Sequence, residues 1–193
     1  LDTIHIHLTY FPRPNHINEL KSKPTQMSVK SLNSMGIQPD FIVGRAEQEI
    51  DDKRKEKVSY YCNIDQEDVI SNPDCDTIYQ IPLVFHEQDF DKKVLVKLKL
   101  PAQKINLKPW KDLVKTVQEK NDRKTKIAIV AKYISTGDYE LEDSYQSLVE
   151  SLEHAGWNQK TNLELSFINA EKLQKNQPQE LKKLKEADGI VVP

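Results

Sequence analysis

The chain has 193 residues, 30% of them charged and 37% hydrophobic, with 28 Lys and Arg against 30 Asp and Glu and a formal net charge of −2. That composition supports a packed core and excludes a disordered, collagen-like or mucin-like chain. The near balance of charge excludes a global pull toward nucleic acid or an anionic membrane, so any anion site has to be local.

No apolar run approaches the roughly 20 residues that span a bilayer, and the first residues lack a signal-peptide pattern. Cys62 and Cys75 read as reduced thiols, because a chain of this size builds a core without disulfides. No Cys/His spacing matches a zinc site.

Residues 4 to 11, IHIHLTYF, alternate and are rich in β-branched and aromatic types, which predicts a strand. A Pro- and Asn-containing loop leads to Thr25, the expected cap of a helix. Met27, Val29, Leu32 and Met35 would form its apolar stripe, and Gly36 its C′ residue. FIVGR reads as a buried strand after Pro39. DDKRKEKVSYYCN reads as a second helix, VIS as a strand, and Thr77 to about Lys93 as a helix or helical loop.

From Gln103 to Lys126 the chain carries 8 Lys or Arg against 3 Asp or Glu and no strand signal. WKDLVKTVQEK there reads as an amphipathic connector helix. The pattern then restarts. KIAIVAKY is a strand, and DSYQSLVESLEHAG is a helix capped by Asp143 or Ser144, with a Tyr145, Leu148, Val149, Leu152 stripe and Gly156 at its end. NLELSFINA is a strand, PQELKKLKEAD a helix and GIVVP a strand. Strands alternating with helices predict two different α/β domains with parallel sheets. A start without Met and a finish on a strand read as a fragment of a longer protein.

Lys21, Ser22, Lys23, Pro24, Thr25 and Gln26 form the most informative cluster. Two lysines stand just before a helix N-terminus, where free N–H groups and partial positive charge favour an anion such as a polyphosphate. An ordinary polar loop is the alternative. Arg45 follows FIVG at a strand's carboxyl end, the ligand edge of an open α/β sheet. Lys57 reads as part of a solvated helix face. Asp74 and Asp76, flanking Cys75, serve either a ribose or metal site or turn and cap duties. His5 and His7 share a strand face but lack further ligands. No phosphate-loop, GxGxxG or GxSxG pattern is present, and no set of residues completes a nucleophile, base and oxyanion hole.

The string KSKPTQMSVKSLNSMGIQPDFIVGR closely resembles the CTP synthase family. Its hallmark is Lys-Thr-Lys-Pro-Thr-Gln, then a Ser-Val helix, Gly-Ile-Gln-Pro-Asp and an apolar strand ending in Arg. KEKVSYYCN, VIS, Asp76 to Pro82, Trp110 and KIAIVAKY extend the match in order. Ser22 replaces the usual Thr, and Pro73 and Cys75 depart from commoner residues, so a role there would use backbone atoms.

The resemblance implies two incomplete parallel-sheet domains. Residues 1–102 would belong to a P-loop-type amidoligase domain, 103–125 to an interdomain linker helix, and 126–193 to a flavodoxin-like class I glutamine amidotransferase domain. The implied enzyme aminates UTP to CTP with ATP, Mg2+ and glutamine or ammonia. It is GTP-activated, cytoplasmic and homotetrameric, with no nucleic acid or membrane partner. Lys21, Ser22, Lys23, Pro24, Thr25, Gln26 and Lys57 would bind UTP and CTP, and Arg45, Pro73, Asp74 and Cys75 would lie on the ATP side. Catalytic and metal-binding residues would fall outside this chain, leaving it inactive alone. Two rivals are a non-catalytic nucleotide-binding or assembly subunit of the same fold and another amidoligase such as a cobyrinate diamide synthase.

Overall fold

The computed structural model describes residues 3–132, 135–136, 139–140 and 142–193. They form an α/β chain of two compact units, Leu1–Gln118 and Glu119–Pro193.

The first unit contains β1 (Ile6–Tyr10), α1 (Lys23–Ser34), β2 (Phe41–Ala46), α2 (Asp52–Cys62), β3 (Val69–Pro73), α3 (Ile81–Glu87), α4 (Phe90–Lys97) and α5 (Lys108–Gln118). Its sheet is parallel in the order β1-β2-β3, with Ile6 opposite Phe41 and Ile42 opposite Val69. Because strand side chains alternate, β2 feeds two cores. Ile42 and Ala46 join Phe11, Leu20, Val29 and Val58 beneath α1 and α2. Phe41 and Val43 meet Phe85, Phe90 and Val94 of α3 and α4 on the other face. Burying each of these large apolar side chains stabilises the unit by about 1.5–3 kcal/mol relative to exposure.

Gly44 lies on the α1/α2 face, where an added Cβ would come within 2.5 Å of the Phe11 ring. The close approach that Gly44 permits is therefore made by neighbouring core side chains. His7 and Thr9 point to α1, with His7 Nε2 2.9 Å from Ser28 Oγ and Thr9 Oγ1 3.2 Å from Thr25 Oγ1. Burial lowers the His7 pKa. The His5 backbone N–H instead donates to Asp40 Oδ2.

Helix α1 begins at Lys23, with Ser22 as its N-cap in place of the expected Thr25. Pro24 sets the first turn, since its missing N–H costs nothing there. Thr25 is buried and its hydroxyl faces β1. The expected apolar stripe holds at Val29 but not at Met27 or Met35, both exposed; the inward face is Thr25, Gln26 and Val29. Gly36 takes a φ of +81° just beyond the helix, as its C′ role requires. The helical stretch after Thr77 is a short 3₁₀ turn followed by α3 and α4, broken at Asp89 with a left-handed φ of 54°. The Trp110 indole N–H of α5 donates to the Tyr79 carbonyl at 2.8 Å.

The second unit is centred on β4 (Lys124–Ala131), flanked by β7 (Asn162–Asn169) and β8 (Gly189–Val191), all parallel. Strand β4 starts inside the span read as a connector. Two-residue strands β5 (Ser135–Thr136) and β6 (Tyr139–Glu140) pair antiparallel. The helices are α6 (Gln146–Asn158), α7 (Ala170–Gln174) and α8 (Pro178–Glu186). Tyr145, Leu148, Val149 and Leu152 pack on Ile129 and Ala131, the stripe the sequence predicts.

Two expectations fail at α6. Its N-cap is Tyr145, after a 3₁₀ turn, in place of Asp143 or Ser144. Gly156 lies inside the helix, where a Cβ would come within 2.8 Å of Leu163 Cγ, so it serves helix–strand packing. Among the described residues no helix is long and apolar enough to cross a membrane.

Candidate functional site

The carboxyl ends of parallel strands share one sheet edge, and in the first unit that edge collects most of the candidate residues. Past β1 runs the loop that enters α1, past β2 the loop that enters α2, and past β3 the Asp74–Asp76 turn.

A cleft of about 290 Å³ opens between the start of α1 and the first turns of α2. Lys21, Ser22, Lys23, Gln26 and Lys57 line it together with Glu19, Leu20, Lys53, Arg54 and Tyr61. The fold thus joins Lys57 to the Lys21–Gln26 segment. Pro24 and Thr25 shape the helix start without lining the cleft. The hydroxyl of Ser22 accepts from Gln26 Nε2 at 3.1 Å, and both residues are buried, so the polar floor is fixed in advance.

Five cationic side chains, Lys21, Lys23, Lys53, Arg54 and Lys57, face one carboxylate, Glu19. The first turn of α1 contains no acidic residue, so its N-terminal positive field adds to theirs. Glu19 pairs with Arg54 at 2.6 Å and with Lys21 at 3.4 Å. The Arg54 hydrogen bond, followed by the one from Lys21, holds the Glu19 carboxyl below its ordinary range. Burial opposes the Arg54 charge, but Asp51 and Glu19 outweigh it and raise the Arg54 pKa. The arrangement can bind a polyanion.

Lys53 and Tyr61 were legible in principle. Residues 53, 57 and 61 are spaced i, i+4, i+8 on α2 and so share a face with Lys57. Only the cleft itself shows that this face meets α1.

Arg45, Pro73, Asp74 and Cys75 come together at the carboxyl ends of β2 and β3. Arg45 Nε lies 3.7 Å from Asp74 Oδ1, and the Asp74 N–H donates to the Ala46 carbonyl at 2.9 Å. Both side chains of this ion pair are more than half exposed, so it contributes at most about 1 kcal/mol and leaves Arg45 available to a ligand. Cys75 Sγ donates to the Pro73 carbonyl at 3.3 Å. Burial first, then the charges of Asp74 and Asp76, push its thiol pKa up. Both cysteines are free. Among the described residues no group of three or more His, Cys, Asp or Glu is placed to hold a metal ion.

The family model for the CTP synthase N-terminus matches residues 1–100. The chain belongs to the CTP synthase family. It is 43% identical to the CTP synthase of Clostridium beijerinckii over 189 residues, covering 98% of this chain and 34% of that protein. Against the CTP synthase of Nitratidesulfovibrio vulgaris it is 43% identical over 190 residues, 98% of this chain and 33% of the relative. The CTP synthase of Geobacillus kaustophilus is 42% identical over 192 residues, 100% of this chain and 35% of the relative. The chain therefore spans about a third of the length of these relatives. The cleft and the Arg45 cluster both lie within the residues matched by the family model.

Proposed function

We propose that the protein to which this chain belongs is a ligase that aminates UTP to CTP, with ATP as energy source and glutamine or ammonia as nitrogen donor. The observation that carries this reading is the convergence of Lys21, Ser22, Lys23, Gln26 and Lys57 on one cleft at a helix N-terminus, in a chain of this family. Lys21, Lys23 and Lys57 meet the triphosphate of UTP, or of CTP as product and feedback inhibitor. Ser22 and Gln26 supply fixed hydrogen-bonding groups, and Pro24 and Thr25 hold the helix start. Arg45 and the Pro73–Cys75 turn face ATP.

Residues 1–102 then form the second part of the amidoligase domain, 103–125 the linker and 126–193 the start of the glutamine amidotransferase domain. Glutamine hydrolysis, GTP activation, a cytoplasmic location and homotetramer assembly are parts of the same proposal. The acids that hold Mg2+ in this proposal belong to sequence outside this chain.

In the full-length protein, Lys23→Ala should raise the KM for UTP and weaken CTP inhibition together. One charge-assisted contact of about 1.5–3 kcal/mol predicts a change of roughly ten- to a hundredfold. Unchanged responses to both nucleotides would sink the assignment.

A further inference from the structure

Neither the sequence motif nor the family resemblance assigns a role to Arg54, yet it joins α2 to the loop that carries Lys21. All three of its guanidinium nitrogens are engaged. Nε donates to the Leu20 carbonyl at 3.2 Å, Nη1 to Asp51 Oδ2 at 2.5 Å, and Nη2 pairs with Glu19 Oε1 at 2.6 Å. Asp51 Oδ1 meanwhile accepts from the Arg54 backbone N–H at 2.9 Å, so one carboxylate both caps α2 and holds the guanidinium. The other oxygen of Glu19 faces Lys21 Nζ.

The Leu20 side chain is buried in the core, and the Lys21 N–H donates to the Pro12 carbonyl at 2.9 Å. The backbone just before the two lysines is thus held at three points, and Arg54 supplies the one that comes from α2. A planar fork that satisfies three acceptors at fixed angles is something lysine cannot reproduce. Three of its five N–H donors are thus committed to protein partners, two of them on the loop that precedes Lys21.

We propose that Arg54 is a positioning residue for the anion site: by holding Glu19 and the Leu20 carbonyl it sets Lys21 and Ser22 against Lys57. This rests on the reading of the cleft as the UTP and CTP site. The test is calorimetric CTP binding to the full-length protein, with the KM for UTP measured alongside.

Arg54→Lys keeps the charge but not the fork. It should weaken CTP binding about tenfold and raise the KM for UTP by a similar factor, with a smaller change in kcat. In a Glu19→Ala background the same substitution should cost only about threefold, because one of the partners it acts through is already gone. Undiminished affinity in Arg54→Lys overturns the proposal, since charge alone would then suffice. An equal loss in both backgrounds also overturns it, since Arg54 would then act independently of Glu19. Lys57→Ala separates the two readings. If it leaves CTP affinity intact, the nucleotide site falls and the role of Arg54 falls with it. If it weakens CTP while Arg54→Lys does not, only the role of Arg54 falls.

Discussion

The two units are each built on a three-stranded parallel sheet with helices, but the start of α1 in the first differs from the starts of α7 and α8 in the second. In the second unit Asn169 caps α7 by accepting from the N–H groups of Glu171 and Lys172, and Glu171 sits in the first turn. Helix α8 carries Glu180 in its first turn, buried, accepting from the Asn169 N–H and paired with Lys183 at 3.6 Å. Those helix starts are answered by the chain's own carboxylates and amides. In the first unit α1 has no acid in its first turn, and its N-cap hydroxyl is held by Gln26. Three more cations arrive from α2. A helix end with no acid in its own first turn, and five cations against the single carboxylate of Glu19, is one that an outside anion completes. Under the proposed function, the start of α1 is the helix end that the nucleotide phosphates complete.

The largest expected contrast between the units lies in their packing glycines. Gly44→Ala drives a methyl group into the buried Phe11 ring, and overpacking of this kind costs about 1–3 kcal/mol. Gly156→Ala also crowds Leu163, but it gains about 1 kcal/mol of helix propensity, so its net effect should be near zero. Trp110 belongs to the first unit and Trp157 to the second, so urea unfolding followed by fluorescence of single-Trp variants reads them separately. A larger loss for Gly156→Ala would overturn this ranking.

A smaller effect distinguishes the units by pH. Both cysteines lie in the first unit, and burial pushes the Cys62 thiol from 9.0 up to about 11. The unfolded chain therefore releases this proton at lower pH than the folded one. The resulting stability is fully present below pH 9.0 and is lost as pH rises through about 11. The first unit should lose stability over that window, and Cys62→Ala should flatten the loss. An equal slope in the second unit, which contains no cysteine, would contradict the cause given.

Much of the fold was legible because its signals are local. The alternation in IHIHLTYF, the apolar FIVGR and the stripe on α6 each report a buried face directly. Errors arose where tertiary contacts override local pattern. Thr25 reads as a cap, yet β1 draws it inward through Thr9. Met27 and Met35 complete a helical stripe in sequence, but α1 buries Thr25 and Gln26 and leaves both methionines in solvent. Gly156 reads as a terminator, but Leu163 needs the space. At the site, the KSKPTQ string pointed to Lys21, Ser22, Lys23 and Gln26. Lys57 reads from its own pattern as one more solvated lysine; the family resemblance alone assigns it to the site, and the cleft brings it beside Lys21 and Lys23. Arg54 could not be picked out, because a helix and a strand separate it in sequence from its partners at 19 and 20.

The central claim is that the cleft recognises a triphosphate. Its most direct test is calorimetry of the full-length protein with CTP and with cytidine monophosphate, in wild type and in Lys57→Ala. Wild type should prefer the triphosphate by at least about a hundredfold, since several charge-assisted contacts of about 1.5–3 kcal/mol each depend on the added phosphates. Lys57→Ala should narrow that preference by about tenfold or more while changing monophosphate affinity little. An undiminished preference in the variant would contradict the account.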